Sequence, residues 1–223
     1  MPFWLSLVAI ILPFLTAIII FIRKSYRDEA LNLLMLLSLV IFAKNLLFAL
    51  SAFEKTTSLF YVSLFEAAEF VLLVLIFRFN VQQSSYKEWM NYLLVGFLSV
   101  TITLHATQVT ENYLSLIANT QAVLLCLLAI ITLLILIRNQ YIFIFHSSLF
   151  WIAGGTLFFS SMSLAAEVLS RNGWFEGRDE GERQLLLYAF NVVRLLFYLI
   201  AALIQQSKQQ EEDWKYFKNS SQE

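Results

Sequence analysis

Long unbroken apolar runs, each about twenty residues and separated by short polar links, are what most limit the folds open to this chain. In hydrocarbon no water satisfies a free N–H or C=O, so a run of that length crosses a bilayer only as a helix with its backbone bonds closed internally. The sequence predicts seven such spans, at 3–22, 29–53, 58–79, 89–107, 113–137, 147–170 and 185–206. The runs lack the short apolar/polar alternation of an outer-membrane barrel. Composition agrees: 59% of residues are hydrophobic and 14% charged, against about 25% charged in a soluble domain. The expected fold class is an all-α polytopic membrane protein, one bundle over 1–206 with a short tail at 207–223. Pro13 lies inside the first span and predicts a kink there.

The first span has no basic residue before it and no short apolar core with a small-residue cleavage site, so it reads as a retained span, not a signal peptide. Lys and Arg then set the orientation. The links after spans one, three and five, with the tail, hold Arg23, Lys24, Arg27, Arg78, Lys87, Arg138, Lys208, Lys215 and Lys218, nine in all. The other side holds four, Lys55, Arg171, Arg178 and Arg183. Nine against four predicts an outside N-terminus and a cytoplasmic C-terminus. Trp89, Trp151 and Trp174 near span ends fit interfacial anchors, and the polar segment 171–184 reads as an outer loop that could cover an opening. In the tail, Trp214, Tyr216 and Phe217 among Lys and Glu predict contact with the membrane surface.

Charges inside the spans are the exception to the apolar pattern. An ionisable side chain in hydrocarbon costs about 2.5–3.5 kcal/mol on insertion scales, so it is retained with a partner, a wet cavity or a function. Glu66 and Glu69 are three apart and share a helix face. At about 1.5 Å per residue, Lys44 lies roughly 14 Å from the outer end of its span, Glu66 12 Å, Glu69 16 Å and Arg194 14 Å. Two cations and two anions on three helices thus share one depth. Glu167 lies within about 5 Å of the outer boundary by the same measure. Asn45, Asn119, Gln121 and Asn191 fall at similar levels. Tyr188, Asn191, Arg194 and Tyr198 recur at spacings of three and four and form a polar stripe on the last span. Asn119 and Gln121 are two apart, so only one of them is expected to reach the centre.

Two readings follow. One is a polar ligand site formed by Lys44, Asn45, Glu66, Glu69, Asn119, Gln121, Glu167, Tyr188, Asn191 and Arg194, in which Lys44 and Arg194 suit an anion and Glu66 or Glu69 an amine or a proton. The other is a set of ion pairs that only holds the bundle together, although buried pairs by themselves are often replaceable by apolar groups. In the sixth span Gly154, Gly155, Ser160, Ser161 and Ser163 predict close helix packing.

Other chemistries lack their residues. His105 and His146, the only histidines, fall near opposite membrane faces, so no metal site or haem is expected. No Gly-rich phosphate loop, nucleophile elbow or CxxC occurs, and no cofactor is expected. A net charge of -1 without a basic run gives no reason to expect nucleic acid as a partner. The single Cys126 allows no intrachain disulfide. Arg194 stands where a retinal protein would need a Schiff-base lysine.

The segments FEAAEFVLL, SSLFWIAGGTLFFS and FNVVRLLFYLIAAL resemble an uncharacterised family of small seven-helix bacterial inner-membrane proteins. The likeness is carried by Glu69, Phe150, Trp151 and Asn191. It departs at Arg194, where the family pattern leads one to expect an uncharged polar residue, and at Gln121, where it leads one to expect an acid. The resemblance implies the fold, a multi-pass inner-membrane location and a setting beside two-component signalling genes. Depth and likeness together single out Glu69. The expected function is a receptor-like or sensory protein that binds a small polar or anionic ligand in an outward-opening pocket. With only about 17 residues in the tail, too few for a catalytic domain, the output is expected to pass to a cytoplasmic signalling protein. A small-molecule or proton-coupled transporter is the alternative, and an intramembrane lipid enzyme follows it.

Overall fold

The computed structural model describes residues 3–54, 59–80, 84–106, 111–139, 144–171 and 180–204. All regular structure among them is helical: α1 (Phe3–Ile22), α2 (Glu29–Glu54), α3 (Leu59–Asn80), α4 (Ser84–Ala106), α5 (Glu111–Asn139), α6 (Ser148–Arg171) and α7 (Glu180–Leu203). Two short 3₁₀ turns, Ser25–Arg27 and Ile144–His146, precede α2 and α6. Five helices are long and apolar enough among the described residues to cross a membrane, namely α1, α2, α5, α6 and α7. Their outer faces are lined by exposed Leu, Ile, Val and Phe, such as Leu7, Leu39, Leu134 and Leu196, as lipid contact requires.

Six of the helices close a ring. Going round, α1 packs on α2, α2 on α3, α3 on α5, α5 on α6, α6 on α7, and α7 back on α1. The fourth helix stands outside this ring with α3 as its main neighbour, where the Phe70 and Phe97 rings lie 4.0 Å apart between centroids. α1 runs antiparallel to α2 (Ala9 meets Asn45, and Phe14 meets Phe42) and α6 antiparallel to α7, with Ser148 beside Ile204 and Glu167 beside Arg183.

Local chemistry explains the helix ends. Asp28 caps α2, its Oδ1 accepting the N–H groups of Ala30 and Leu31 at 2.9 and 3.4 Å. The helix α1 continues through Pro13 as one element to Ile22. Proline leaves the carbonyl four residues before it without a helical donor, and here that carbonyl, Ala9 O, accepts the Asn45 side-chain amide at 2.7 Å.

One element differs from expectation. Residues 180–184 belong to α7 and not to a loop, because Glu180 and Glu182 favour the first turn of a helix and Arg183 is held by Glu167. At its other end Arg171 closes α6, and 172–179, with Trp174, lies outside the described residues, as does the tail 207–223. Of the two other predicted anchors, Trp89 is exposed, whereas Trp151 is partly buried and donates to Phe145 O at 2.8 Å.

Candidate functional site

Halfway along the bundle a chain of charged side chains joins three helices. Glu69 on α3 is hydrogen-bonded by Arg194 on α7, and the other terminal nitrogen of Arg194 donates to Asn191 Oδ1, one turn earlier, at 2.7 Å. Lys44 on α2 sits 3.7 Å from Glu69 Oε2 and 3.9 Å from Glu66 Oε1. The spatial order along this chain is therefore Glu66, Lys44, Glu69, Arg194, Asn191. Its two ends differ in burial. The side chains of Glu69 and Arg194 are 5% and 4% exposed, while those of Lys44 and Glu66 are 21% and 24% exposed.

The buried end is rigidly framed. The guanidinium carbon of Arg194 lies 4.1 Å from the centroid of the Phe159 ring on α6, a cation–π contact in a desolvated setting. One turn further along α7, Tyr198 is fully buried and its hydroxyl bonds Thr156 Oγ1 at 3.0 Å. Beyond this level the interior is filled by Leu73, Phe77, Leu128 and Ile152, all with no exposure.

On the other side of the pair opens a cavity of about 320 Å³. All ten candidate residues line it: Lys44 and Asn45 from α2, Glu66 and Glu69 from α3, Asn119 and Gln121 from α5, Glu167 from α6, and Tyr188, Asn191 and Arg194 from α7. From the central charges its lining runs to the bundle end that carries Phe48, Ala118, Glu167, Arg183 and Leu187. There Arg183 and Glu167 form a second ion pair at 2.9 Å.

Three sequence expectations are refined or corrected by this geometry. Asn119 and Gln121 both reach the cavity, because the small Ala118 and Ala122 beside them on α5 leave a recess that the two longer side chains flank; Gln121 donates to the Glu66 backbone carbonyl at 3.2 Å. Glu167, expected near the outer boundary, is a partly buried member of the cavity wall paired with Arg183. The small residues of α6 divide by role. A Cβ on Gly155 would come within 2.7 Å of Phe197 Cβ and 3.3 Å of the Arg194 carbonyl, so this glycine sets the α6–α7 spacing. Ser160 and Ser163, assigned to packing, line the cavity.

Arg183 and Phe159 were missed by sequence reasoning. Arg183 followed a glycine-rich polar stretch and read as loop, and Phe159 is one of many aromatic residues in an apolar run with nothing to mark it. Of the two histidines, His146 is exposed beside α6, and the His105 side chain lies outside the described residues. Among the described residues no three His, Cys, Asp or Glu side chains gather as a metal would need. What the arrangement can do chemically is hold a polar solute against both signs of charge, above an interior that is filled by apolar side chains beyond Tyr198. Comparison of the chain with family models, with curated proteins and with solved structures finds no match.

Proposed function

We propose that this is a receptor-like protein of seven membrane spans that takes a small polar ligand into the central cavity and passes its occupancy to a cytoplasmic signalling partner. One observation carries the reading: polar and charged side chains from five helices converge on a cavity of about 320 Å³ whose inner end is stopped by a buried ion pair and an apolar core. A purely structural ion-pair network has no need of a cavity around it. A carrier would need a second state open to the other side, and the five helices that line the cavity run unbroken, without the interrupted midplane helices that many carriers use.

Seven spans are supported by the lengths of α3 and α4, 22 and 23 residues, about 33–35 Å at 1.5 Å per residue. As a ring member between α2 and α5, α3 shares the slab that those helices cross. The excess of Lys and Arg on one side supports an outside N-terminus, with the cavity mouth then facing outward. The likeness of FEAAEFVLL and its companions to the bacterial inner-membrane family supports that location and a neighbouring two-component system as the partner class.

The test is a thermal-shift survey of purified protein in lipid nanodiscs against amino acids, carboxylates, sugars and phosphate esters, alongside in-cell crosslinking of the protein to histidine kinases. The expected outcome is stabilisation by one chemical class, abolished by Glu66→Gln or Lys44→Gln, and a kinase adduct. A silent survey together with no kinase adduct sinks the proposal, and solute uptake in proteoliposomes replaces it with a carrier.

A further inference from the structure

Resting on that reading of the cavity, we propose that its ligand is a small zwitterion, with an ammonium and a carboxylate on one short skeleton, taken up at Lys44 and Glu66. The first argument is charge balance. Among the described residues the cavity wall carries three cations, Lys44, Arg183 and Arg194, and three carboxylates, Glu66, Glu69 and Glu167. Adding a net charge to such a balanced, low-dielectric site leaves one charge uncompensated, which is costly. A zwitterion brings both signs and no net charge.

The second argument is which groups have capacity left. Both terminal nitrogens of Arg194 are taken, by Glu69 and Asn191, while Arg183 gives one of its own to Glu167 and stands at the bundle end, away from the central charges. Lys44 and Glu66 face each other at 3.9 Å, beyond hydrogen-bond reach, and are far more exposed than Glu69 and Arg194. An ammonium offers three donors and a carboxylate about four acceptor sites, so each can take a ligand group of opposite sign. Lys44 keeps Glu69 at 3.7 Å as a second counter-charge when Glu66 turns to a ligand ammonium.

Two neutral groups complete the site. Asn119 on α5 and Tyr188 on α7 line the cavity and supply a donor and acceptor each. At about 320 Å³ the space sits at the low end of small-molecule sites, which run from about 300 to 1,000 Å³. That size admits a free amino acid.

The experiment compares matched probes on wild-type protein in nanodiscs by calorimetry and thermal shift: 2-aminobutyrate and 4-aminobutyrate as zwitterions, butyrate as the carboxylate alone, and propylamine as the amine alone. The expected result is that a zwitterion binds at least about tenfold more tightly than either single-charge probe, and that Lys44→Gln and Glu66→Gln each remove this preference. Butyrate or propylamine binding as tightly as the zwitterions overturns the inference and leaves the polar-ligand site standing. Silence of all four probes overturns it too, and the site reading falls with it only when the wider survey is also silent. Because the four probes are ranked on the wild type, a variant that does not fold leaves that ranking, and the decision it makes, unchanged.

Discussion

Asn45 donates its side-chain amide to the carbonyl of Ala9 at 2.7 Å, and Ala9 is the residue whose helical donor is removed by Pro13. The proline and the asparagine thus form a compensated pair across α1 and α2, because an unpaired carbonyl in an apolar interior costs about 1–3 kcal/mol. Asn45→Ala is expected to destabilise the protein by about that amount. In a Pro13→Ala background the residue-13 N–H can bond Ala9 itself, and the cost of losing Asn45 is expected to shrink by more than half. A double-mutant cycle by denaturant titration in micelles measures the coupling. Strict additivity of the two substitutions would refute the pairing.

Burial separates the two carboxylates of α3. Glu69 is 5% exposed and bonded by a fully enclosed arginine, so Glu69→Gln leaves Arg194 charged and unpaired. Breaking a buried pair from one side costs about 3–5 kcal/mol. Glu66, 24% exposed and 3.9 Å from its lysine, has little to lose, and Glu66→Gln is expected to shift stability by less than about 1 kcal/mol. Thermal unfolding in nanodiscs checks the contrast. Equal losses from the two substitutions would mean that the central chain is a single structural unit.

The helices were legible because hydrocarbon enforces them: each predicted span lies within five residues of an observed helix at either end. The convergence of Lys44, Glu66, Glu69 and Arg194 was legible too, since depth follows from counting residues along a helix of fixed rise. What counting cannot supply is rotation and neighbourhood. Sequence order placed α4 between α3 and α5, yet α3 packs on α5 directly and α4 stands outside the ring. Depth and family likeness favoured Glu69 over Glu66, but only the guanidinium of Arg194, delivered from 125 residues away, explains why Glu69 is occupied and Glu66 is the reachable acid. Arg183 was hidden for a related reason, because its partner Glu167 belongs to another helix.

The far end of α7 is tied at two points. Arg23, just past the end of α1, donates to the Leu203 carbonyl, and Ser148 at the start of α6 donates to the Ile204 carbonyl at 2.9 Å. These are the orphan acceptors of a helix C-terminus, held by side chains from both neighbours. Since α7 also carries Tyr188, Asn191 and Arg194, these ties are where a shift of the helix would be felt at that end. Arg23→Ala with Ser148→Ala is expected to raise amide hydrogen exchange over 200–204 by about tenfold or more, the factor for losing roughly 1.4 kcal/mol of local protection, while exchange around Asn191 stays unchanged. Unaltered exchange at 200–204 would show that packing alone fixes this end.

Adjacent glycines in α6 face one phenylalanine at different distances and should tolerate alanine differently. A Cβ on Gly154 would touch the edge of the Phe197 ring at 3.4 Å, ordinary van der Waals contact. On Gly155 it would meet Phe197 Cβ at 2.7 Å and the Arg194 backbone carbonyl at 3.3 Å, and neither of those atoms can swing aside. Gly155→Ala therefore pushes α7 away from α6 at the level of Arg194, whose guanidinium must still meet Glu69 and Phe159. Overpacking of this kind costs about 1–3 kcal/mol, partly offset by alanine's better helix propensity of about 1 kcal/mol. Gly154→Ala has the propensity gain with little strain and is expected to be neutral or mildly stabilising. Thermal unfolding of the two variants separates these outcomes, and equal tolerance would show that the α6–α7 contact is looser than the glycine at 155 implies.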